Sequence, residues 1–343
     1  MRDKCRLFIP TRDSARWIGT ILDFHLSLGL RPLVIVDART VDSTRDIVAS
    51  KGLDYLEFTP RDDYPEAGML EFAAQNANAD WLLRLDDDEL PSRGLIDFIW
   101  GDGIKSKNQC WFVERRELYW EGERIVFSRS PGKYPLPDYP QYLHPMARLY
   151  HVDRVRFLEE VHTTGFQDLK LYGFAPCEAF MVHLNCLVHD FDLRLNKLLG
   201  YEQIKPGVSW GLADEYLPEL FDADFHNSAD AGLEEFGDVL ERLAVHAPPG
   251  AQQLGRVDLD FARASVAARV KCLMEARARS DGALLSADDV SWIEYAPPAL
   301  RLPLAEFLCG LSNRKLKRVG VALWDYLALH AGPRRVDAVA RRK

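Results

Sequence analysis

The sequence lacks the cysteine patterns that mark zinc sites and disulfide frameworks. Its six cysteines are scattered and include no CxxC pair, so we expect buried free thiols in a reducing compartment. No apolar run reaches the roughly 20 residues that a membrane-spanning helix needs. These absences favour a cytoplasmic protein.

Two phosphate-binding signatures are also absent. The chain contains neither GxGxxG nor a GxxxxGKS or GxxxxGKT loop, which argues against a dinucleotide fold with the usual phosphate loop and against a P-loop enzyme. What is present is a chain of 343 residues, 47% hydrophobic and 28% charged. That length and composition predict one mixed domain with an appended one.

Charge is unevenly distributed along the chain. The net charge is −9, yet residues 301–343 hold ten Lys and Arg against three Asp and Glu. Such a basic end could contact an anionic membrane surface or a nucleic acid. A basic segment beside the acidic body of its own chain is the alternative.

The most informative stretch runs from Trp81 to Ser92, where an apolar run ends in four consecutive acids. Such a run predicts a buried strand that carries carboxylates to its C-terminal edge. The four anions repel one another, so a divalent cation, nearby cations or exposure to water must offset them. If the strand continues, Asp86 and Asp88 share one face, and oxygen ligands of this kind suit Mg²⁺ or Mn²⁺. A solvated acidic turn that ends at Pro91 is the alternative.

Strand and helix patterns alternate through the first part of the chain. Strands are predicted at 5–10, 33–36, 55–58 and 81–85, and helices at 17–28, 43–50 and 65–79. Crossovers of this length favour parallel pairing in a doubly wound sheet. Ligands of such sheets bind outside the carboxyl ends of the strands, which is where the acids from Asp86 onward are expected.

Three motifs in this order resemble the family-2 glycosyltransferases of GT-A fold. They are the segments from Ile9 to Asp13, from Val36 to Thr44 and from Ala79 to Glu89. The resemblance implies an α/β, GT-A-like doubly wound mixed sheet. It also implies roles for a set of site residues: Asp37 as the nucleotide contact, Asp86 and Asp88 as the DxD pair for the metal and the donor diphosphate, and Pro10, Thr11, Arg12, Asp13 and Asp87 in the nucleotide-sugar site. The turn at 11–13 departs from the Arg-Asn-Glu type that the family usually carries.

Basic side chains near these motifs could balance the phosphate charge of a donor. A planar guanidinium suits this role because it pairs bidentately with oxyanions. The candidates are Arg39, Arg61, Arg84 and Lys197. For each arginine, a salt bridge to a neighbouring acid is the alternative. Lys197 lies on a helix predicted at 192–201, three residues after Arg194 and on the same side of it.

The middle of the chain is similar to the lipopolysaccharide-core type of these enzymes. That type carries a Val-His-Glu turn, a glycine, a histidine and a helical Lys and Tyr, and this chain has Val161-His162-Thr163, then Gly165, His183, Lys197 and Tyr201. The acid after the histidine is therefore absent. A proline-rich segment at 130–145 is a candidate acceptor wall or lid.

An inverting transfer needs a base that takes the proton of the acceptor hydroxyl. We assign this role to Glu160, with His162 as the alternative because an imidazole titrates near working pH. Simple solvation of the glutamate is the structural alternative. His183 could ligate the metal through a ring nitrogen or contact the diphosphate, and a purely structural histidine is again the alternative.

These features together predict two domains and one activity. Residues 1–205 form the GT-A-like catalytic domain, and residues 206–343 form a helical C-terminal module. The predicted protein is a glycosyltransferase, dependent on Mn²⁺ or Mg²⁺, that moves a sugar from a nucleoside diphosphate sugar to an acceptor hydroxyl. A saccharide or lipid-linked acceptor is expected, and a modified nucleic-acid base is the other acceptor class. The alternatives are a nucleotidyltransferase and an inactive nucleotide-sugar-binding scaffold.

Overall fold

The fold is described from a computed structural model over residues 3–61, 68–121, 124–128, 145–158, 165–190, 193–194, 197, 201, 216, 228–229 and 232–244. The chain divides into two compact units, one of Met1–Phe191 with Ala223–Gln252 and the other of Asp192–Asp222 with Gln253–Lys343. Most of the predicted helical module lies outside the described residues. The module and the predicted boundary after residue 205 therefore remain predictions.

Strands and helices alternate from Asp3 to Arg84, as the sequence predicts, and a short strand and a fourth helix that were not predicted follow. Strands β1 to β5 span Asp3–Thr11, Leu33–Asp37, Tyr55–Phe58, Ala79–Arg84 and Glu89–Pro91. Helices α1 to α4 span Ile18–Ser27, Thr44–Ser50, Met69–Asn76 and Arg93–Gly101. The third helix begins later than predicted because Gly68, just before it, has a positive φ of 82°.

Short strands dominate the rest of the described chain. Strands β6 to β13 span Cys110–Glu121, Arg124–Ser128, Pro145–His151, Arg156–Phe157, Phe166–Gln167, Tyr172–Phe174, Phe180–His183 and Ser228–Ala229. Helices α5 and α6 span Asn185–Val188 and Gly237–Ala244. β6 has 12 residues, and the charged residues in its middle form ion pairs with one another. No helix in the described ranges is long and apolar enough to cross a bilayer.

The strands form one large mixed sheet. Within the described residues its main path has the order β13-β7-β6-β8-β4-β1-β2-β3. β1 pairs in parallel with β2 and β4, whereas β8 pairs antiparallel with β4 and β6. β12 extends the sheet by pairing in parallel with β6 and antiparallel with β5. This arrangement confirms the predicted α/β class with a mixed sheet.

Apolar side chains cover both faces of the sheet. Successive residues of a strand point to opposite faces, so Leu7 and Ile9 of β1 belong to one core cluster and Phe8 to another. The first cluster packs against α1, α2 and α4, and the second against α3. Helices thus lie on both faces, as expected of a doubly wound sheet.

Helix α4 is anchored directly after the acidic segment. Ser92 caps it by accepting a hydrogen bond from the Leu95 amide at 3.0 Å, and the Ser92 hydroxyl donates to the carbonyl of Glu178 at 2.9 Å. The same carbonyl lies so close to Gly94 that a Cβ at this position would overlap it. The start of α4 after the acidic segment therefore depends on the Ser92 cap and on the close backbone contact at Gly94.

We expect Gly94→Ala to lower the free energy of unfolding by about 1–3 kcal/mol, because the backbone of residue 178 must move to admit a methyl group. Urea denaturation measures the change. Gly101→Ala is the matched control in the same helix, since a Cβ there meets nothing within 4 Å. Equal stability of the two variants would contradict the close packing at Gly94.

Candidate active site

The carboxyl ends of three neighbouring strands meet at one edge of the sheet. β1 lies between β2 and β4 and runs parallel to both. Thr11 ends β1, Asp37 ends β2, and the acidic segment follows Arg84 at the end of β4. Candidate residues from three distant parts of the sequence are therefore brought to the same edge.

The four acids do not continue β4. The amide of Glu89 donates to the carbonyl of Asp86 at 3.0 Å and closes a turn before β5 begins. The strand therefore does not continue through the acids, so the condition under which Asp86 and Asp88 would share one strand face is not met, and the turn directs each carboxylate to different partners. Exposure to water does not offset the repulsion among all four acids, because Asp88 is 3% and Glu89 0% exposed.

Two arginines hold Asp86. Arg84 Nε donates to Asp86 Oδ1 at 2.8 Å, and Arg148 Nη2 donates to Asp86 Oδ2 at 2.9 Å. Arg148 is almost fully buried and also donates to Glu89 Oε1 at 2.5 Å. Burial would raise the pKa of Asp86, but the guanidinium groups of Arg148 and Arg84 outweigh it and hold this pKa well below its usual range.

Two histidines face Asp88. His183 Nε2 lies 3.2 Å and His189 Nδ1 3.9 Å from Asp88 Oδ2. The other ring nitrogen of His183, Nδ1, lies 2.5 Å from Glu117 Oε2. Burial alone would lower the pKa of His183, but the carboxylates of Glu117 and Asp88 outweigh it and raise this pKa to about 10.

Asp87 connects the end of β4 to the turn after β1. Its Oδ2 accepts hydrogen bonds from the hydroxyl of Thr11, at 2.7 Å, and from the hydroxyl of Ser14. The Ser14 amide in turn donates to Thr44 Oγ1 at 2.8 Å, at the start of α2. These bonds join the segments after β1, β2 and β4 into one polar cluster.

Arginine also holds Asp37, which is 6% exposed. Arg39 donates to its carboxylate from the backbone amide at 2.8 Å, from Nε at 3.0 Å and from Nη2 at 2.7 Å. Burial would raise the pKa of Asp37, but the hydrogen bonds from Arg39 outweigh it and lower this pKa. A nucleotide that binds through this carboxylate must share or replace the bonds from Arg39.

The turn that carries Asp13 lies beside this pair. Asp13 has a left-handed φ of 50°, accepts a hydrogen bond from the Val41 amide at 2.7 Å and pairs with Arg12 at 3.3 Å. Pro10 precedes the turn within β1, opposite Ile35 of β2. These predicted residues therefore lie in the segments that meet at the strand ends.

Other predicted residues have different surroundings. Arg61 pairs with Glu71 of α3 at 3.0 Å. Lys197 belongs to the other unit of the chain, where its ammonium lies 5.5 Å from the ring centroid of Tyr216. Glu160, His162 and the proline-rich segment at 130–145, apart from Pro145 itself, lie outside the described residues, so their roles remain predictions.

The predicted metal ligands do not form a metal site with one another in the described part of the chain. Of the three predicted ligands, Asp88 and His183 are in contact, whereas the carboxylate of Asp86 is bound by arginines. Across the residues that the structure describes, no group of three or more His, Cys, Asp or Glu is assembled to hold a metal ion. The carboxylate of Glu117 at Nδ1 is a common companion of a metal-ligating histidine. The metal and its predicted ligands Asp86, Asp88 and His183 therefore stay predictions.

Several residues of the cluster are absent from the sequence-based prediction. Ser14 lies one residue beyond the first motif, and Arg148 is a single arginine inside an apolar strand. Glu117 belongs to a run of four charged residues that interrupts an apolar strand at 114–117. A charged run flanked by strand-like segments is the one signal that could have indicated buried ion pairs.

Comparison with known proteins leaves the family open. No family model and no curated protein matches the chain. Among solved structures, residues 1–349 of TarS from S. aureus are 12% identical over 82% of this chain and 93% of that chain, with a TM-score of 0.37. Glucosyl-3-phosphoglycerate synthase from Mycobacterium tuberculosis is 13% identical over 62% and 80%, with a TM-score of 0.39. HddC from Yersinia pseudotuberculosis is 11% identical over 54% and 94%, with a TM-score of 0.32. At TM-scores this low the likeness establishes neither family nor function.

We expect Arg148→Met to lower the free energy of unfolding by about 3–5 kcal/mol, because it leaves Asp86 and Glu89 without a cation that both contact. Arg156→Met is the control, since the Arg156 side chain is 80% exposed and lies 3.8 Å from Asp168. Exposed pairs contribute about 0–1 kcal/mol. Urea denaturation compares the two variants, and a similar small effect in both would show that Arg148 does not stabilise the buried acids.

Proposed function

We propose that the chain is a glycosyltransferase that moves a sugar from a nucleoside diphosphate sugar to an acceptor hydroxyl. The observation that carries the proposal is the polar cluster of Thr11, Ser14, Thr44 and Asp87 at the carboxyl ends of β1 and β4, with Asp37 at the end of the neighbouring β2. Parallel α/β sheets bind their ligands at this edge. The resemblance of the three motifs to family-2 enzymes supplies the reaction class.

Residues at these strand ends have two roles toward the donor. Asp37 contacts the nucleobase or the ribose, while Arg12 and Arg39 face the diphosphate. Their side chains are 44% and 36% exposed, so they are accessible to a phosphate group while paired with Asp13 and Asp37. A guanidinium serves this role because its donors match oxyanion geometry.

A divalent cation, Mn²⁺ or Mg²⁺, completes the proposed site at Asp88 and His183. When bound, the cation supplies charge stabilisation for the diphosphate leaving group. The assignment rests on the resemblance of the acidic segment to a DxD motif, and the two side chains lie 3.2 Å apart. Asp86 stays bound to Arg84 and Arg148, which place positive charge beside the same turn.

The acceptor side of the proposal depends on residues outside the described ranges. Glu160, or His162 in its place, takes the proton of the acceptor hydroxyl as the sugar is transferred. A saccharide or lipid-linked acceptor agrees with the resemblance, and a modified nucleic-acid base is the other acceptor class. The basic residues at 301–343 would provide contact with an anionic membrane or a nucleic acid.

Two other functions follow from specific observations. Strand-end carboxylates also serve nucleotidyltransferases, which release pyrophosphate from a nucleoside triphosphate. The absent acid after His162 favours an inactive scaffold that binds a nucleotide sugar without turnover. Identification of the product separates the three, because a glycosyltransferase releases a nucleoside diphosphate.

A thermal-shift panel of nucleoside diphosphate sugars, with and without Mn²⁺, tests the proposal. We expect at least one donor to stabilise the protein in a Mn²⁺-dependent manner, by about 2.7 kcal/mol at 100 times its Kd. Asp88→Ala should lose the Mn²⁺-dependent part. Asp97→Ala, on the exposed side of α4, should keep it.

The same donor should yield a free nucleoside diphosphate when an acceptor is supplied. Release of pyrophosphate from a nucleoside triphosphate would replace the proposal with nucleotidyl transfer. Binding with Mn²⁺ but no product with any acceptor would replace it with a scaffold. A full Mn²⁺ effect in Asp88→Ala would remove that residue from the site.

A further inference from the structure

The loop after β2 holds Arg39 beside Asp37. This β2 exit loop spans residues 38–43, between Asp37 at the end of β2 and Thr44 at the start of α2. Arg39 lies within the loop, and its Nη2 is 2.7 Å from Asp37 Oδ2. The position of the Arg39 guanidinium on the carboxylate therefore depends on how the backbone of this loop is held.

The amides of the β2 exit loop are hydrogen-bonded to groups around the strand ends. Those of Arg39 and Val41 donate to the carboxylates of Asp37 and Asp13, at 2.8 and 2.7 Å. The Thr40 amide donates to the carbonyl of Asp37 at 2.9 Å. These bonds occupy donors of the loop backbone, and its carbonyls require partners of their own.

Arg45, in the first turn of α2, supplies partners for two of these carbonyls. Its Nη1 donates to the Thr40 carbonyl at 2.6 Å, and its Nη2 donates to the Ala38 carbonyl at 3.1 Å. Its Nε donates to Glu57 Oε1 of β3 at 2.7 Å. One guanidinium thus joins the backbone of the β2 exit loop to the neighbouring strand.

This contact uses the shape of a guanidinium. Its N–H donors lie in one plane and reach several acceptors at once, whereas the ammonium of a lysine is a compact point charge. Bonds from a charged donor are also stronger than those between neutral groups. The Arg45 side chain is 25% exposed, so three quarters of its surface is covered by protein. Arg45 is therefore built into the loop and is not a free surface cation.

We propose that Arg45 is a positioning residue for the nucleotide of the donor: by holding the carbonyls of Ala38 and Thr40, it fixes the β2 exit loop in the conformation that keeps Arg39 beside Asp37. The inference rests on the proposed function, because the donor site belongs to that function. Arg45 acts through the loop, since all three of its guanidinium nitrogens are engaged with Glu57 and the loop carbonyls.

Arg31 provides a matched control at the other end of β2. It precedes the strand, and its Nη2 donates to the Gly52 carbonyl at 2.6 Å. Arg31→Lys and Arg45→Lys therefore make the same chemical change at two contacts between a guanidinium and a carbonyl. Of the two, Arg45 is the one that contacts the β2 exit loop.

The first readout is the affinity of the full chain for a nucleoside diphosphate, measured by calorimetry with Mn²⁺ present and with the tightest binder among UDP, GDP, CDP, ADP and dTDP. We expect Arg45→Lys to weaken binding about tenfold, because at least one charge-assisted hydrogen bond to the loop is lost. Arg31→Lys should leave the affinity nearly unchanged. The stoichiometry should stay that of the wild type, because a loss of folded protein would lower the number of sites and not their affinity.

Unchanged affinity in Arg45→Lys, or an equal loss in both variants, would overturn the positioning role. A lowered stoichiometry with the wild-type Kd would also overturn it, because Arg45 would then serve the folded state in general and not the donor site.

The second readout is the exchange of backbone amide hydrogens in the ligand-free protein, resolved by NMR. We expect the amides of Arg39, Thr40 and Val41 to exchange more slowly than in an unstructured peptide, and about tenfold faster in Arg45→Lys than in Arg31→Lys. Unprotected amides at these positions in the wild type would overturn the inference even if the variants fail to fold. A wild type that binds none of the nucleotides would instead refute the proposed donor site, while the exchange rates still decide whether Arg45 holds the loop.

Discussion

Four consecutive carboxylates at the end of a buried strand are the constraint on which this structure depends. Buried carboxylates require compensation, because desolvation and mutual repulsion both disfavour the charged form. The chain supplies a different solution for each acid: two arginines at Asp86, two hydroxyls at Asp87, an imidazole at Asp88 and a buried arginine at Glu89. The acidic segment is thereby ordered by its own protein rather than left as a solvated turn.

The second half of the sheet supplies most of these partners. β8 pairs antiparallel with β4 and brings Arg148 to Asp86 and Glu89. β12 pairs with β5 and β6 and places His183 between Asp88 and Glu117. The antiparallel strands that make the sheet mixed are therefore also the strands that compensate the charge of the acids. The parallel strands β1, β2 and β4 place the acids at the sheet edge. The later strands β8 and β12 supply the basic side chains that balance their charge.

Local patterns in the sequence were sufficient for the first half of this arrangement. Apolar periodicity located β1 to β4 and their helices, and the parallel order then placed Asp37 and the acidic segment at one edge. The partners were beyond such reasoning, because Arg148 lies 62 residues from Asp86 and Glu117 lies 66 residues from His183. The pairing of β6, β8 and β12 that joins them is a non-local choice. The turn at Asp86 to Glu89 was foreseen only as a solvated alternative, because the side chains that bury it, such as His183 of β12, are distant in the sequence.

A crystal structure of the full chain with Mn²⁺ and a nucleoside diphosphate tests the central claim most directly. The account predicts the nucleotide beside Asp37 and the ion at Asp88 and His183, with Asp86 still bound by Arg84 and Arg148 and Glu117 still at the far side of the imidazole. A nucleotide and ion bound elsewhere, with the acidic segment and its partners unchanged, would show that this charge network is structural and not a donor site.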